Sequence, residues 1–193
     1  MKLFVKNMVC PRCVLVIRRE LDELNIAAKS IELGVIEFEL PLTEEQTNEI
    51  ASRIVPLGFE ILNDARNRQV EEIKNLLIKA LQADKLEAHF SVKKFLSAKI
   101  CKEYSYISKL FSEKEGMTIE HYFILLKLEK VKELLTYGEC TLNEIAWKFG
   151  YSSVQHLSGQ FKKLLGVSTT KFKSSLTARR KAIDQVGIRA IKV

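Results

Sequence analysis

Residues 141–166 read TLNEIAWKFGYSSVQHLSGQFKKLLG. Their spacing predicts two short helices joined by a tight turn. Leu142, Ile145 and Ala146 fall on one face of the first helix, which ends at Gly150, a residue free to take the positive φ that a sharp turn needs. Ser152 or Ser153 caps the second helix, whose Leu157 and Phe161 face inward. Ala146 is small where the two helices must cross closely. The outward residues Gln155, His156, Ser158 and Lys162 are polar or basic, as a groove-entering helix requires.

A second unit of the same kind lies upstream, at SVKKFLSAKICKEYSYISKLFSEKEG (residues 91–116). Leu96 is its inner residue in the first helix, and Tyr106, Ile107, Leu110 and Phe111 line the second, which ends at Gly116. Between the units runs MTIEHYFILLKLEKVKELL (residues 117–135), an apolar helix long enough to hold them about one DNA turn apart. Helices are expected over 91–99, 103–114, 118–136, 141–149 and 153–165, with a short one near 169–174.

This layout resembles the DNA-binding domain of the AraC/XylS family. The resemblance rests on YISKLFSEKEGMTIEHYF, KLEKVKELL and NEIAWKFGYSSVQHLSGQFKKLLGVSTTKF, in that order, within residues 70–174. It implies double-stranded DNA as partner and two recognition helices in successive major-groove faces. Ser105, Tyr106, Ser108 and Lys109 are then the reading residues of the first unit, and Ser153, Gln155, His156 and Lys162 those of the second. Three positions depart from the family pattern. Cys101 stands where the first turn usually has Gly, Thr170 where a Pro is usual, and Gly159 where many members carry a base-reading side chain. The Gly removes a contact worth about 1–3 kcal/mol of discrimination when bidentate, so sequence reading is expected to lean on Lys109 and the first unit.

The front of the chain has a different period. KLFVKNM reads as a strand, and Val14, Ile17, Leu21 and Leu24 recur at helical spacing. IAAKSIEL and VIEFEL read as a hairpin about Gly34, with Ile36, Phe38 and Leu40 on one face. Thr43 and Gln46 form a capping box, Ile50, Ile54 and Leu57 mark a second helix, and FEIL is a last strand. The order β-α-β-β-α-β is ferredoxin-like. The fold expected is thus an α+β ferredoxin-like βαββαβ domain over residues 1–64, then an all-α AraC-type domain over 65–175 with two helix-turn-helix units joined by a long helix, and a basic tail over 176–193.

MVCPRC (residues 8–13) lies between the first strand and first helix. Two cysteines at this spacing read as a metal clamp, a redox couple or a structural remnant. With Met8, Cys10 and Cys13 at that junction and Gly58-Phe59 before the last strand, the front half resembles the heavy-metal-associated domain of copper chaperones and metal-pumping ATPases. That resemblance makes Cys10 and Cys13 metal ligands. Two thiolates suit Cu(I) in near-linear coordination. Zn(II) wants about four ligands, which a homodimer through the N-terminal domain would supply. Pro11 is unusual for a flexible clamp and keeps a thiol redox reading open. Cys101 and Cys140 are expected to be buried core fillers, and His89 and His121 structural.

Charge divides the chain in the same place. Residues 1–64 hold 7 basic and 11 acidic side chains, a net −4, whereas residues 65–193 hold 24 and 13, a net +11; together they give the +7 of the whole. The basic half is the one that meets a polyanion. No Gly-rich phosphate loop, paired carboxylate site or Ser/His/Asp pattern stands out, so no enzymatic activity is expected. No run approaches the roughly 18 apolar residues of a membrane span, and MKLFVKNMV is too short for a signal peptide. The reading is a cytoplasmic sequence-specific transcription regulator with no membrane partner, responsive to a soft metal through Cys10 and Cys13. The alternative is a metal-handling or thiol redox protein whose basic half only attaches it to nucleic acid or a partner.

Overall fold

A computed structural model describes residues 1–83, 85–87, 90–174 and 183–186. His89 lies outside them, as does the expected tail apart from a 3-10 turn at Ile183–Gln185. The chain divides into two compact units, Met1–Leu76 and Leu77–Val193.

In the first unit the elements run β1 (Lys2–Lys6), α1 (Pro11–Glu23), β2 (Ser30–Glu32), β3 (Val35–Glu37), α2 (Glu44–Ile54), a 3-10 turn (Val55–Leu57) and β4 (Glu60–Ile61). The four strands form one antiparallel sheet in the order β2-β3-β1-β4, with Leu3 opposite Ile36 and Val5 opposite Ile61. Alternation along β1 sends Leu3 and Val5 into the core. There they join Ile36 and Phe38 from the hairpin and Ile17, Leu21, Ile50 and Ile54 from the two helices. The capping box forms at Thr43 and Gln46, and Gly34 turns the hairpin at φ +84°. Two expectations need correction. The strand stops at Lys6 because Asn7 adopts φ 70°. Leu40 lies beyond β3 and is 77% exposed, so it is not a core residue.

The division at 76/77 falls inside a helix, α3 (Ala65–Gln82), rather than at the expected boundary after residue 64. The physical reason is that the first part of α3 is fastened to the sheet. The Arg68 guanidinium lies 5.0 Å from the centre of the Phe4 ring. Glu71 accepts a hydrogen bond from the Asn7 N–H at 2.9 Å, and Asn75 sits directly against Gly34.

The second unit is helical beyond α3. It comprises α4 (Val92–Lys99), α5 (Tyr104–Glu115), α6 (Ile119–Tyr137), α7 (Leu142–Lys148), α8 (Val154–Leu165) and α9 (Thr169–Ser174). Boundaries follow explicit stop and start chemistry. Ser91, Thr118, Thr141 and Ser153 each accept an N–H at a helix start, and Gly116, Gly138 and Gly166 end helices in the left-handed conformation. Helix α6 buries residues all round its circumference, from Ile119 and Tyr122 through Leu128 and Val131 to Leu135. A helix apolar on every side belongs inside a bundle.

A short strap, Lys85–Glu87, crosses the α7–α8 turn. The Leu86 N–H donates to the Lys148 carbonyl at 2.9 Å, and the Lys85 ammonium lies 3.5 Å from the centre of the Trp147 ring. Gly150 takes φ +67°, and a Cβ there would meet the Glu87 carbonyl oxygen at 2.6 Å. Gly150→Ala is therefore expected to cost roughly 2–4 kcal/mol through backbone strain and overpacking. A urea titration followed by circular dichroism measures this, and an unchanged midpoint would show that the strap does not close on the turn.

Candidate nucleic-acid interface and thiol pair

The two helix pairs present similar outer faces. On α5, Ser105, Tyr106 and Lys109 are exposed, Tyr106 at 46%. On α8, Gln155, His156 and Lys162 are exposed. Their inner faces are Ile107, Leu110 and Phe111 in one and Leu157 and Phe161 in the other. Ser108 is half-buried at the edge of the α5 face. Ser153 has a defined local task, since its hydroxyl oxygen accepts the His156 N–H at 3.0 Å and caps α8. Each helix thus offers a polar or cationic surface backed by a buried apolar stripe, which is what a groove-entering helix needs.

Further cations flank these faces. Lys102 lies 5.3 Å from the centre of the Tyr106 ring, and Lys93 lies 5.9 Å from that of Tyr104. Lys163 is exposed on α8 beside Lys162. The expected gap at Gly159 is real in steric terms: it is exposed, and nothing lies within 4 Å of where its Cβ would be.

The two turns are built differently. Gly150 is left-handed in the second. In the first, Cys101 is not left-handed, since Asn7 and Asn25 are the only non-Gly residues with positive φ among the described residues. There the chain turns by extending at Ile100, with φ −109° and ψ 120°. Cys101 is exposed and Cys140 half-buried, so neither is the buried filler expected. Trp147 is 62% exposed beneath Lys85. Ser168, just before α9, caps the helix that begins beside Thr170 by accepting the Lys171 N–H at 3.2 Å.

Sequence reading missed the residues that fix the second turn. Lys127 of α6 is largely buried, which lowers its pKa to about 8. Its ammonium lies 4.3 Å from the centre of the Tyr151 ring. Burial pushes the Tyr151 hydroxyl well above its usual range, and that hydroxyl donates to Gln160 Oε1 at 2.7 Å. A basic residue inside an apolar helix signals a partner across the bundle, but spacing alone does not name it.

In the first unit the thiol pair sits where β1 gives way to α1. Cys10 is the N-cap and Cys13 lies in the first turn, with Pro11 as the first helical residue. The two Sγ atoms are 3.5 Å apart. Burial raises the Cys10 thiol, but hydrogen bonds from Cys13 and Arg12 together with the Arg12 charge outweigh it, and the net shift is downward. Cys13 is raised, chiefly by burial. Asn7 ties the loop down: its side chain donates to the Gly58 carbonyl at 2.8 Å, its N–H reaches Glu71, and its carbonyl lies 3.9 Å from Cys13 Sγ. Among the described residues no group of three His, Cys, Asp or Glu side chains is placed to hold a metal. The donor set is therefore two thiols. That set fits a soft ion of low coordination number and not a tetrahedral ion within one chain.

Residues 96–175 match a family model described as a helix-turn-helix domain. The HTH-type transcriptional activator RhaR of Enterobacter sp. (strain 638) is 28% identical over 111 residues, which are 58% of this chain and 38% of that protein. The chain thus spans well under two thirds of the length of this curated relative. Among solved structures, the C-terminal domain of AraT, a response regulator from Geobacillus stearothermophilus, superposes with a TM-score of 0.50 at 20% identity, over 62% of this chain and 92% of that one. The xylose-binding transcription activator xylR gives a TM-score of 0.43 at 23% identity, over 81% and 35% of the two chains. The family match is confined to residues 96–175, and residues 1–95 lie outside it.

Cys10 sits at the N-cap of α1 with a lowered pKa and is expected to be the nucleophile of the pair, because the thiolate is the reactive form. In a Cys101→Ser/Cys140→Ser background, iodoacetamide near neutral pH is expected to modify Cys10 several-fold faster than Cys13, read by peptide mass spectrometry. Equal rates would contradict the asymmetry.

Proposed function

We propose that this chain is a sequence-specific DNA-binding transcription regulator of AraC type that acts in the cytoplasm. The observation that carries this reading is the pair of exposed polar helix faces, on α5 and α8, within the matched helix-turn-helix region. In this reading α4–α5 and α7–α8 are two helix-turn-helix units, and α6 spaces them for successive major-groove faces of duplex DNA. The net +11 of residues 65–193 supplies phosphate neutralisation. The similarity to a transcriptional activator supports the same class of role. No helix among the described residues is long and apolar enough to cross a membrane.

The front unit is proposed to be a ferredoxin-like, heavy-metal-associated-type module. The β-α-β-β-α-β order, the β2-β3-β1-β4 sheet and the placement of the Cys pair support this. Cys10 and Cys13 would hold Cu(I) in preference to Zn(II). A homodimer through this unit is the arrangement that would supply four thiolates. Metal then acts as an input only by binding one DNA-competent arrangement better than another. The close approach of the two sulfurs favours one further reading, a thiol redox or metal-handling protein merely attached to nucleic acid.

Selection from a random duplex pool, followed by footprinting at several salt concentrations, tests the regulator reading. A protected site covering two adjacent major grooves is expected, whereas no preferred sequence would favour the attachment reading. Lys109→Ala should weaken specific binding about tenfold or more, the loss of one base contact of about 1–3 kcal/mol. Gln155→Ala should cost less, and the reverse order would refute the primacy of the α4–α5 pair. For the input, Cu(I) titrated against a competing chelator should bind the native chain and not the Cys10→Ser/Cys13→Ser variant. DNA affinity unchanged by Cu(I), Zn(II) and the double variant would leave a regulator without this switch.

A further inference from the structure

The polar face of α8 is thin. Gly159 leaves open space in its middle, so base reading by this helix falls on the few side chains around the gap, of which His156 is the largest aromatic. His156 is not free to swing. Its Nδ1 lies 3.1 Å from Ser152 Oγ. Its ring meets the Tyr151 ring edge-on, with centroids 5.4 Å apart and planes at 87°. Tyr151 is itself buried, at 8% exposure, and its hydroxyl holds Gln160 one helical turn beyond His156. Behind Tyr151, on the side of α6, stands the Lys127 ammonium, 4.3 Å from the ring centre, with the Phe123 ring at 5.7 Å. A cation over the face of a phenol ring is held by the ring quadrupole. A chain of contacts therefore runs from the linking helix through Tyr151 to exposed His156 and to half-buried Gln160 on α8.

We propose that Lys127 is a positioning residue for the α7–α8 pair: by fixing the Tyr151 ring it orients His156 and Gln160, and so sets the base preference of α8 without touching DNA. The inference rests on the reading of α8 as a DNA-recognition helix. Lysine suits this task because its long stem lies along apolar neighbours while the charge finds the ring face. An apolar side chain of similar length fills the same space but loses the hold on the ring. Arginine keeps the charge and stacks on aromatic faces.

The test uses the full chain and binding sites selected from a random duplex pool by the native protein. Binding is then measured to that site and to versions scrambled under α5 or under α8 alone. Lys127→Met is expected to lose at least about fivefold of its discrimination against the α8 scramble, while its discrimination against the α5 scramble and its salt dependence stay native. Lys127→Arg should restore the α8 preference. Tyr151→Phe keeps the ring and removes only the hydroxyl, so it should lose part of the same preference, and it serves where Lys127→Met fails to fold. A merely structural Lys127 would lower both discriminations and the melting temperature together, and that pattern overturns the proposal. So does native α8 discrimination in Lys127→Met, or in Tyr151→Phe where only that variant folds. A native protein that selects no sequence at all removes the DNA-recognition reading itself, and the proposal falls with it.

Discussion

The second unit depends on the burial of one helix. Helix α6 offers apolar side chains in every direction; α4, α5 and α9 pack against it, and its Lys127 reaches Tyr151 in the turn before α8. Burial all round is normally incompatible with charge, yet Glu129 and Lys132 lie inside it, at 9% and 4% exposure, with Lys132 Nζ 2.6 Å from Glu129 Oε1. The two residues stand three apart on the same helix, so each neutralises the other within α6, and a buried pair of this kind contributes little net stability. Lys127 of the same helix reaches the Tyr151 ring, which ties the turn before α8 to α6.

The first unit solves a different problem. A sheet with two helices on one side leaves its other face to be covered, and Phe4 points that way. Helix α3 supplies Arg68, Glu71 and Asn75 there, spaced three and four residues apart and so on one face. This contact is polar and only partly satisfied: Arg68 Nε and Asn75 Oδ1 are buried without a hydrogen-bond partner. Partly satisfied polar packing is costly to bury. The Cys loop is anchored through the same contact, since Asn7 bonds both to Glu71 and to the carbonyl next to the last strand. Chemistry at the sulfurs and the seating of α3 therefore share one residue.

Much of this was legible in the sequence where signals are local. Helices α4 to α9 begin and end within a residue or two of their expected limits, because Ser, Thr and Gly mark their ends and apolar residues recur at helical spacing between them. The β-α-β-β-α-β order, the Gly34 turn and the Thr43 capping box were equally plain. What escaped detection was non-local. The Asn7–Glu71 bond spans 64 residues, and the Leu86–Lys148 bond has no periodicity to announce it. Leu40 continued an alternation that the strand did not. Cys101 departed from an expected glycine, but the chain made its turn by extending at the preceding residue. For the site residues, the outward positions of Ser105, Lys109, Gln155, His156 and Lys162 were legible, whereas Ser108 and Ser158 are half-buried and what holds His156 in place was not legible.

Gly159 carries a consequence for how such a protein changes over time. Glycine inside a helix gives up about 1 kcal/mol relative to alanine, and here it meets no neighbour that a side chain would displace. Any new side chain other than proline at this position reaches the outer surface without disturbing the core, the caps or the turn. In the proposed reading, α8 would therefore gain a different sequence preference through a single codon change that the fold does not oppose. Helix α5, whose outer face already carries the exposed Tyr106 and Lys109, would keep its own contacts in the proposed reading while that change is tried.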